Sequence, residues 1–136
     1  MPDSEHAPFW WERDRLGYDR GHLRFAGEKV QSLARRFGTP TFVYSACRIR
    51  ENLARIREAL ETTGRPYRLH YAMKANRFAP LLTLMAGESL CGIDACSPVE
   101  VMHAMGCGFK ESDISYTATA VSNTDLDTLV RFNKLH

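Results

Sequence analysis

The stretch Tyr67-Arg68-Leu69-His70-Tyr71-Ala72-Met73-Lys74-Ala75 alternates in character along its length. Tyr67, Leu69, Tyr71 and Met73 fall on one side, and Arg68, His70, Ala72 and Lys74 on the other, the period of two that a β-strand imposes. One face is apolar and can be covered by helices; the other is small or polar. Strands of an open doubly wound sheet are buried on both faces and read as continuous apolar runs. A strand with one small, polar face suits the lumen of a closed parallel barrel better. There Lys74 would stand near the C-terminal strand end, where barrel enzymes carry their working groups.

The flanking segments agree. Upstream, Ser45 can cap a helix in which Ile49, Leu53, Ile56 and Leu60 recur at helical spacing, ended by Gly64 and Pro66. Before it, Thr41–Tyr44 is β-rich, and Glu28–Phe37 reads as an amphipathic helix through Val30, Leu33, Ala34 and Phe37, stopped by Gly38 and Pro40. Residues 1–27 show no clear period. Downstream, Ala79–Gly87 reads as a helix and Ser89–Cys96 as a second strand, with Gly92, Asp94 and Cys96 opposite Cys91, Ile93 and Ala95. Ser97-Pro98-Val99-Glu100 is a capping box opening a helix to about Met105. Ile114–Ala120 is a third strand, and Thr124 or Asp125 starts a last helix through Leu126, Leu129 and Val130, within which the chain is expected to stop.

Strands alternating with helices at this spacing predict an α/β fold with a parallel sheet. Residues 46–136 supply about three βα units, whereas a (β/α)8 TIM barrel has eight in about 250 residues. The expectation is therefore the truncated N-terminal part of such a barrel.

Composition narrows the function. The 136 residues are 44% hydrophobic and 25% charged, with 18 basic against 16 acidic residues, a net charge of +2. So small and evenly spread a charge predicts no nucleic-acid and no membrane partner, and a small molecule as ligand. The first ten residues lack the basic start and apolar core of a secretory signal, and no apolar run approaches the ~20 residues of a membrane span. A cytoplasmic address is expected. Cys47, Cys91, Cys96 and Cys107 form no paired motif, so no metal site and no disulfide framework are expected.

Lys74 carries the chemical interest. A lysine drawn into a pocket loses solvation, deprotonates more readily, and can then condense with an aldehyde as a neutral amine. Alternation alone favours a solvated lysine at a strand end. The string Tyr71-Ala72-Met73-Lys74-Ala75-Asn76 resembles the Y-A-x-K-A-N segment of diaminopimelate decarboxylases and their relatives. These are pyridoxal-phosphate-dependent amino-acid decarboxylases of the alanine-racemase-like barrel class, fold type III. Gly38-Thr39-Pro40-Thr41-Phe42-Val43-Tyr44 looks like their G-T-P-hydrophobic-Y entry, and Ile93-Asp94-Ala95-Cys96-Ser97-Pro98-Val99-Glu100 is similar to their F-D-x-x-S-x-x-E motif. Ala104–Ile114 resembles their A-x-x-x-G-[FV]-x-x-x-x-I stretch.

The resemblance implies that Lys74 forms the Schiff base with pyridoxal 5'-phosphate and is the catalytic lysine. It also implies that Ala72, Asp94 and Glu100 line the cofactor site. For Glu100 a helix cap explains the residue equally well, Ser97 reads as a cap, and Asp94 could be a solvated carboxylate. His70 would point inward beside Lys74 or pack in the core, and His103 is assigned no chemistry. The resemblance further implies that residues 1–45 belong to a second β-rich domain and that the whole enzyme is a homodimer. Phosphate-loop and further cofactor-binding residues would lie beyond residue 136, so this piece alone would be inactive.

The implied substrate is an amino acid, first meso-diaminopimelate decarboxylated to L-lysine in lysine biosynthesis. Carboxynorspermidine, ornithine, arginine or a carrier-bound amino acid are the alternatives, and Thr117–Asn123 departs from the commoner third-strand ending. A non-catalytic regulatory relative would tolerate loss of Lys74 and Asp94, which are both present. The entry segment and the D-x-x-S-x-x-E motif favour a decarboxylase over a racemase.

Overall fold

The computed structural model describes residues 10–136. The reading of the first nine residues lies outside the described residues. The chain divides into two compact units, one through Cys47 and one comprising Arg48–His136.

The first unit is an antiparallel meander of β1 (Leu16–Asp19), β2 (His22–Phe25) and β3 (Glu28–Lys29), followed by α1 (Val30–Phe37). Two-residue loops join the strands. Arg20 and Gly21 have φ of 47° and 74°, and Ala26 and Gly27 of 51° and 91°. Positive φ at both positions is the tight hairpin geometry whose twist matches that of paired strands. Asp19 and Arg24 form an ion pair at 2.8 Å. These strands correct the sequence reading of residues 1–27 as patternless, and Glu28 and Lys29 belong to β3 rather than to the helix. Thr41–Tyr44 has no ladder partner among the described residues, so its β-rich composition does not make a strand.

In the second unit, α2 (Ala46–Glu61) begins directly after Ser45. Three parallel strands follow in the order β4 (His70–Ala72), β5 (Gly92–Ala95) and β6 (Ile114–Tyr116), with α3 (Ala79–Gly87) and α4 (Pro98–Gly106) between them. A helix, α5 (Asn123–Leu129), comes last. The α/β parallel sheet is as the alternation predicts, but each strand is shorter. Met73–Ala75 turns off as a 3-10 turn, so Lys74 lies just past β4 instead of within it.

The expectation that the chain stops inside its last helix is overturned. That helix ends at Leu129, and the chain returns to the sheet: Tyr116 N–H donates to His136 O at 2.8 Å, and His136 N–H donates to Ile114 O at 3.0 Å.

Register explains the core. Tyr71 pairs with Ile93 and Ile93 with Ile114, so these three share one face. Ile93, Ile114 and Ala95 have no exposed surface, and they pack with Met73, Leu82, Met85, Val101 and Ala104 from the turn and from α3 and α4. Each such large side chain contributes about 1.5–3 kcal/mol by leaving water. From α2, Leu53 is buried and Ile49 packs on the core, whereas Ile56 is 42% exposed. Gly92 is required by proximity: a Cβ there would stand 2.5 Å from Asp113 O and 2.6 Å from the His70 ring.

Candidate functional site

The opposite sheet face holds the candidate residues. Ala72 pairs with Asp94 and Asp94 with Ser115, one lateral row across β4, β5 and β6. All three are half-buried, in contrast to the fully buried row of Ile93 and Ile114 on the other face. No large apolar side chain stands in this row. Lys74 is exposed in the turn that leaves β4 at this same end of the sheet. Its predecessor Met73 is fully buried, and Asn76 N–H closes the turn on Met73 O at 3.1 Å. One anchored residue thus fixes the backbone that presents the amine.

Beyond the turn, the Asn76 side chain accepts from Phe78 N–H at 2.9 Å, an Asx turn leading into α3, where Pro80 stands in the first turn. Ser97 caps α4 by accepting from Glu100 N–H at 3.2 Å, as expected. The reciprocal half of the capping box does not form as read. Glu100 Oε2 accepts from Cys96 N–H at 2.7 Å, one residue ahead of the cap, and Oε1 pairs with Arg77 Nε at 3.1 Å. The side chain of Glu100 is therefore spoken for on both oxygens, and the residue is 4% exposed.

His70 lies on the same sheet face as Ala72, two residues earlier along β4. Its ring packs over Gly92 at the start of β4, in a cavity of about 590 Å³ lined also by Arg57, Tyr67 and Asp113 and by none of Lys74, Ala72 or Asp94. His103, given no role by the sequence, has Nε2 at 2.9 Å from Arg77 O. Sequence reasoning also missed Ser115 and Arg77. Alternation marks Ser115 as polar, but only the β5–β6 register sets it beside Asp94. Arg77 gives no sequence signal, since it lies in the loop before α3 and its partner Glu100 is on α4.

Among the described residues no cluster of His, Cys, Asp or Glu could hold a metal ion, and no helix is long and apolar enough to cross a membrane. An amine beside a carboxylate-bearing, otherwise small-residue face is a donor set that can take a carbonyl compound covalently and favour a positive charge near it.

Residues 46–134 match the family model described as pyridoxal-dependent decarboxylase, pyridoxal binding domain. The chain is 35% identical over 109 residues to diaminopimelate decarboxylase from Thermoplasma acidophilum, covering 80% of this chain and 26% of that protein. It is 36% identical over 119 residues to the enzyme of the same name from Methanothermobacter thermautotrophicus, covering 85% and 28%. The chain thus spans little more than a quarter of the relatives it matches. Among solved structures, diaminopimelate decarboxylase from M. jannaschii in complex with L-lysine superposes with a TM-score of 0.74 at 25% identity, covering 88% of this chain and 28% of that one. Lysine decarboxylase from Selenomonas ruminantium gives 0.69 at 28% identity, covering 82% and 28%. The small, half-buried row of Ala72, Asp94 and Ser115 beside Lys74 fits a flat aldehyde cofactor of the kind the matched domain binds.

Proposed function

Because the chain belongs to the pyridoxal-dependent decarboxylase family through its pyridoxal-binding domain, we propose that it contributes the cofactor lysine of an enzyme decarboxylating meso-diaminopimelate to L-lysine. The observation that carries this is Lys74 on an anchored turn at the C-terminal end of a parallel sheet, beside the row that holds Asp94. The relatives it matches at 35% and 36% identity bear that activity in their names. In this reading residues 46–136 are the first βα units of a (β/α)8 barrel, and residues 1–45 contribute to a second, β-rich domain. The whole enzyme is a homodimer in the cytoplasm.

Lys74 would hold pyridoxal 5'-phosphate through its ε-amine. When bound, that cofactor supplies an electron-accepting ring for the electron pair left by the departing carboxylate. The protein's own residues do the rest. Asp94 sets a negative charge on the face beside Lys74, which favours a cationic group held there. Ala72 adds only a methyl group to the row, and so leaves the face open between β4 and β5. Glu100 serves the site through Arg77 and the Cys96 amide, both of which it holds.

The test is turnover by the complete encoded protein with pyridoxal phosphate and meso-diaminopimelate. Carbon dioxide and L-lysine should appear in equal amounts, and Lys74→Ala should abolish both. L-Lysine itself is the second substrate to offer, since the lysine decarboxylase of Selenomonas ruminantium superposes nearly as well. Release of carbon dioxide from lysine and not from diaminopimelate would move the assignment to that reaction. Turnover of neither, nor of carboxynorspermidine, ornithine, arginine or a carrier-bound amino acid, would leave a non-catalytic relative.

A further inference from the structure

Resting on the reading of Lys74 and Asp94 as the cofactor-holding pair, we propose that Arg77 is a positioning residue. It is clasped by α4 so as to fix the turn carrying Lys74 against the strand end carrying Asp94. Glu100 is the buried charged residue of the described core. Its two oxygens reach in two directions, Oε1 to Arg77 Nε at 3.1 Å and Oε2 to Cys96 N–H at 2.7 Å. Arg77 follows Lys74 by three residues and Cys96 follows Asp94 by two. A single carboxylate therefore ties together the two chain segments that leave the candidate site.

One helical turn along α4, His103 holds the same residue by its backbone, Nε2 standing 2.9 Å from Arg77 O. A carbonyl oxygen only accepts, so this ring nitrogen bears the hydrogen. Residues three apart share a helix face, which lets Glu100 and His103 grip one residue together. The segment they grip has little slack, closed at Asn76 N–H to Met73 O and at Phe78 N–H to the Asn76 side chain. Moving Arg77 moves Lys74.

Burial of Arg77 does not account for the contact. Its side chain is 65% exposed, and an ion pair at such a surface adds little stability by itself. The carboxylate it meets is 6% exposed, so losing the arginine leaves a buried oxygen without its partner and free to draw the loop elsewhere.

The experiment uses the complete encoded protein as wild type, Arg77→Ala, Arg77→Lys, Glu100→Gln and the Arg77→Ala/Glu100→Gln double variant. Pyridoxal phosphate affinity, the position of the visible band and borohydride trapping at Lys74 are recorded beside the melting temperature of the cofactor-free protein. Arg77→Ala should weaken cofactor binding about tenfold, the loss expected for one hydrogen bond to a charged group. Its trapping at Lys74 should slow, the melting temperature should fall only by the few degrees that one orphaned carboxylate oxygen costs, and Arg77→Lys should recover much of the loss in affinity and trapping. The double variant should bind no more weakly than Glu100→Gln, because both remove the same contact. Cofactor binding and band position unchanged in Arg77→Ala, or additive losses in the double variant, would overturn the proposal. Absence of a Lys74 adduct in the wild type would sink the cofactor reading itself and this proposal with it, an outcome distinct from a wild type and an Arg77→Ala that load alike.

Discussion

Single residues set the spacing of the sheet and the reach of the lysine. Gly92 lies where the His70 ring and the Asp113 carbonyl close on the strand, at 2.6 and 2.5 Å from any added Cβ. Gly92→Ala should destabilise the protein by about 1–3 kcal/mol, the cost of overpacking, as read by urea denaturation. A neutral result would mean that β4 and β5 are farther apart than described. Met73 has no exposed surface and immediately precedes Lys74. Met73→Ala should cost about 2–5 kcal/mol and also loosen the turn that carries the amine. Burial pushes the Cys91 thiol up from its ordinary value, more than nearby Arg57 lowers it, so at neutral pH it stays protonated. Exposed Cys47 should react with iodoacetamide well before Cys91 does, a comparison that peptide mass spectrometry makes directly. Equal rates would contradict the buried setting of Cys91.

Elements are tied to one another by a few polar contacts whose loss is measurable. Arg50 of α2 grips Glu88, the residue after α3, with Nε 2.7 Å from Oε2 and NH2 on Oε1. That hydrogen bond holds the Glu88 carboxyl below its usual 4.5. A carboxylate lowered on folding adds stability above its unfolded value and loses it as the pH falls through the folded one. The stability difference between wild type and Glu88→Gln should therefore be present at neutral pH and fade below about 4.5; a gap that persists in acid would contradict the pairing. Ser97→Ala should cost about 1 kcal/mol as the cap of α4 is lost. The helices were legible because their apolar spacing and stop signals are local: Ala79–Gly87 is found with the ends the sequence implies. Strand ends were not, since β4 leaves the ladder after Ala72 while β5 runs on to Ala95, and alternation along one strand does not show where pairing stops. The hairpins of β1 to β3 escaped notice because their turns, Arg20-Gly21 and Ala26-Gly27, lack the asparagine or aspartate that usually marks them. Lys74, Ala72 and Asp94 are the candidates that motif and alternation name. Arg77 carries no such signal, because pairing between a loop residue and a distant helix leaves no periodic trace.

At the largest scale, the second unit presents three parallel strands with one face packed by helices and the other small and half-buried. β4 has a single strand partner, β5, among the described residues. An unpaired strand edge beside an uncovered sheet face invites pairing with another chain. The 136-residue chain by itself should elute from a sizing column as oligomers that dissociate in mild denaturant, and a monomer with a cooperative unfolding transition would contradict that. The account stands or falls on Lys74. The most direct measurement is to load the complete encoded protein with pyridoxal phosphate, reduce it with borohydride, digest it, and locate the pyridoxyl group by mass spectrometry. The account predicts the group on the Lys74 peptide, with none after Lys74→Ala. A pyridoxyl group on another lysine, or none on the wild type, would contradict it.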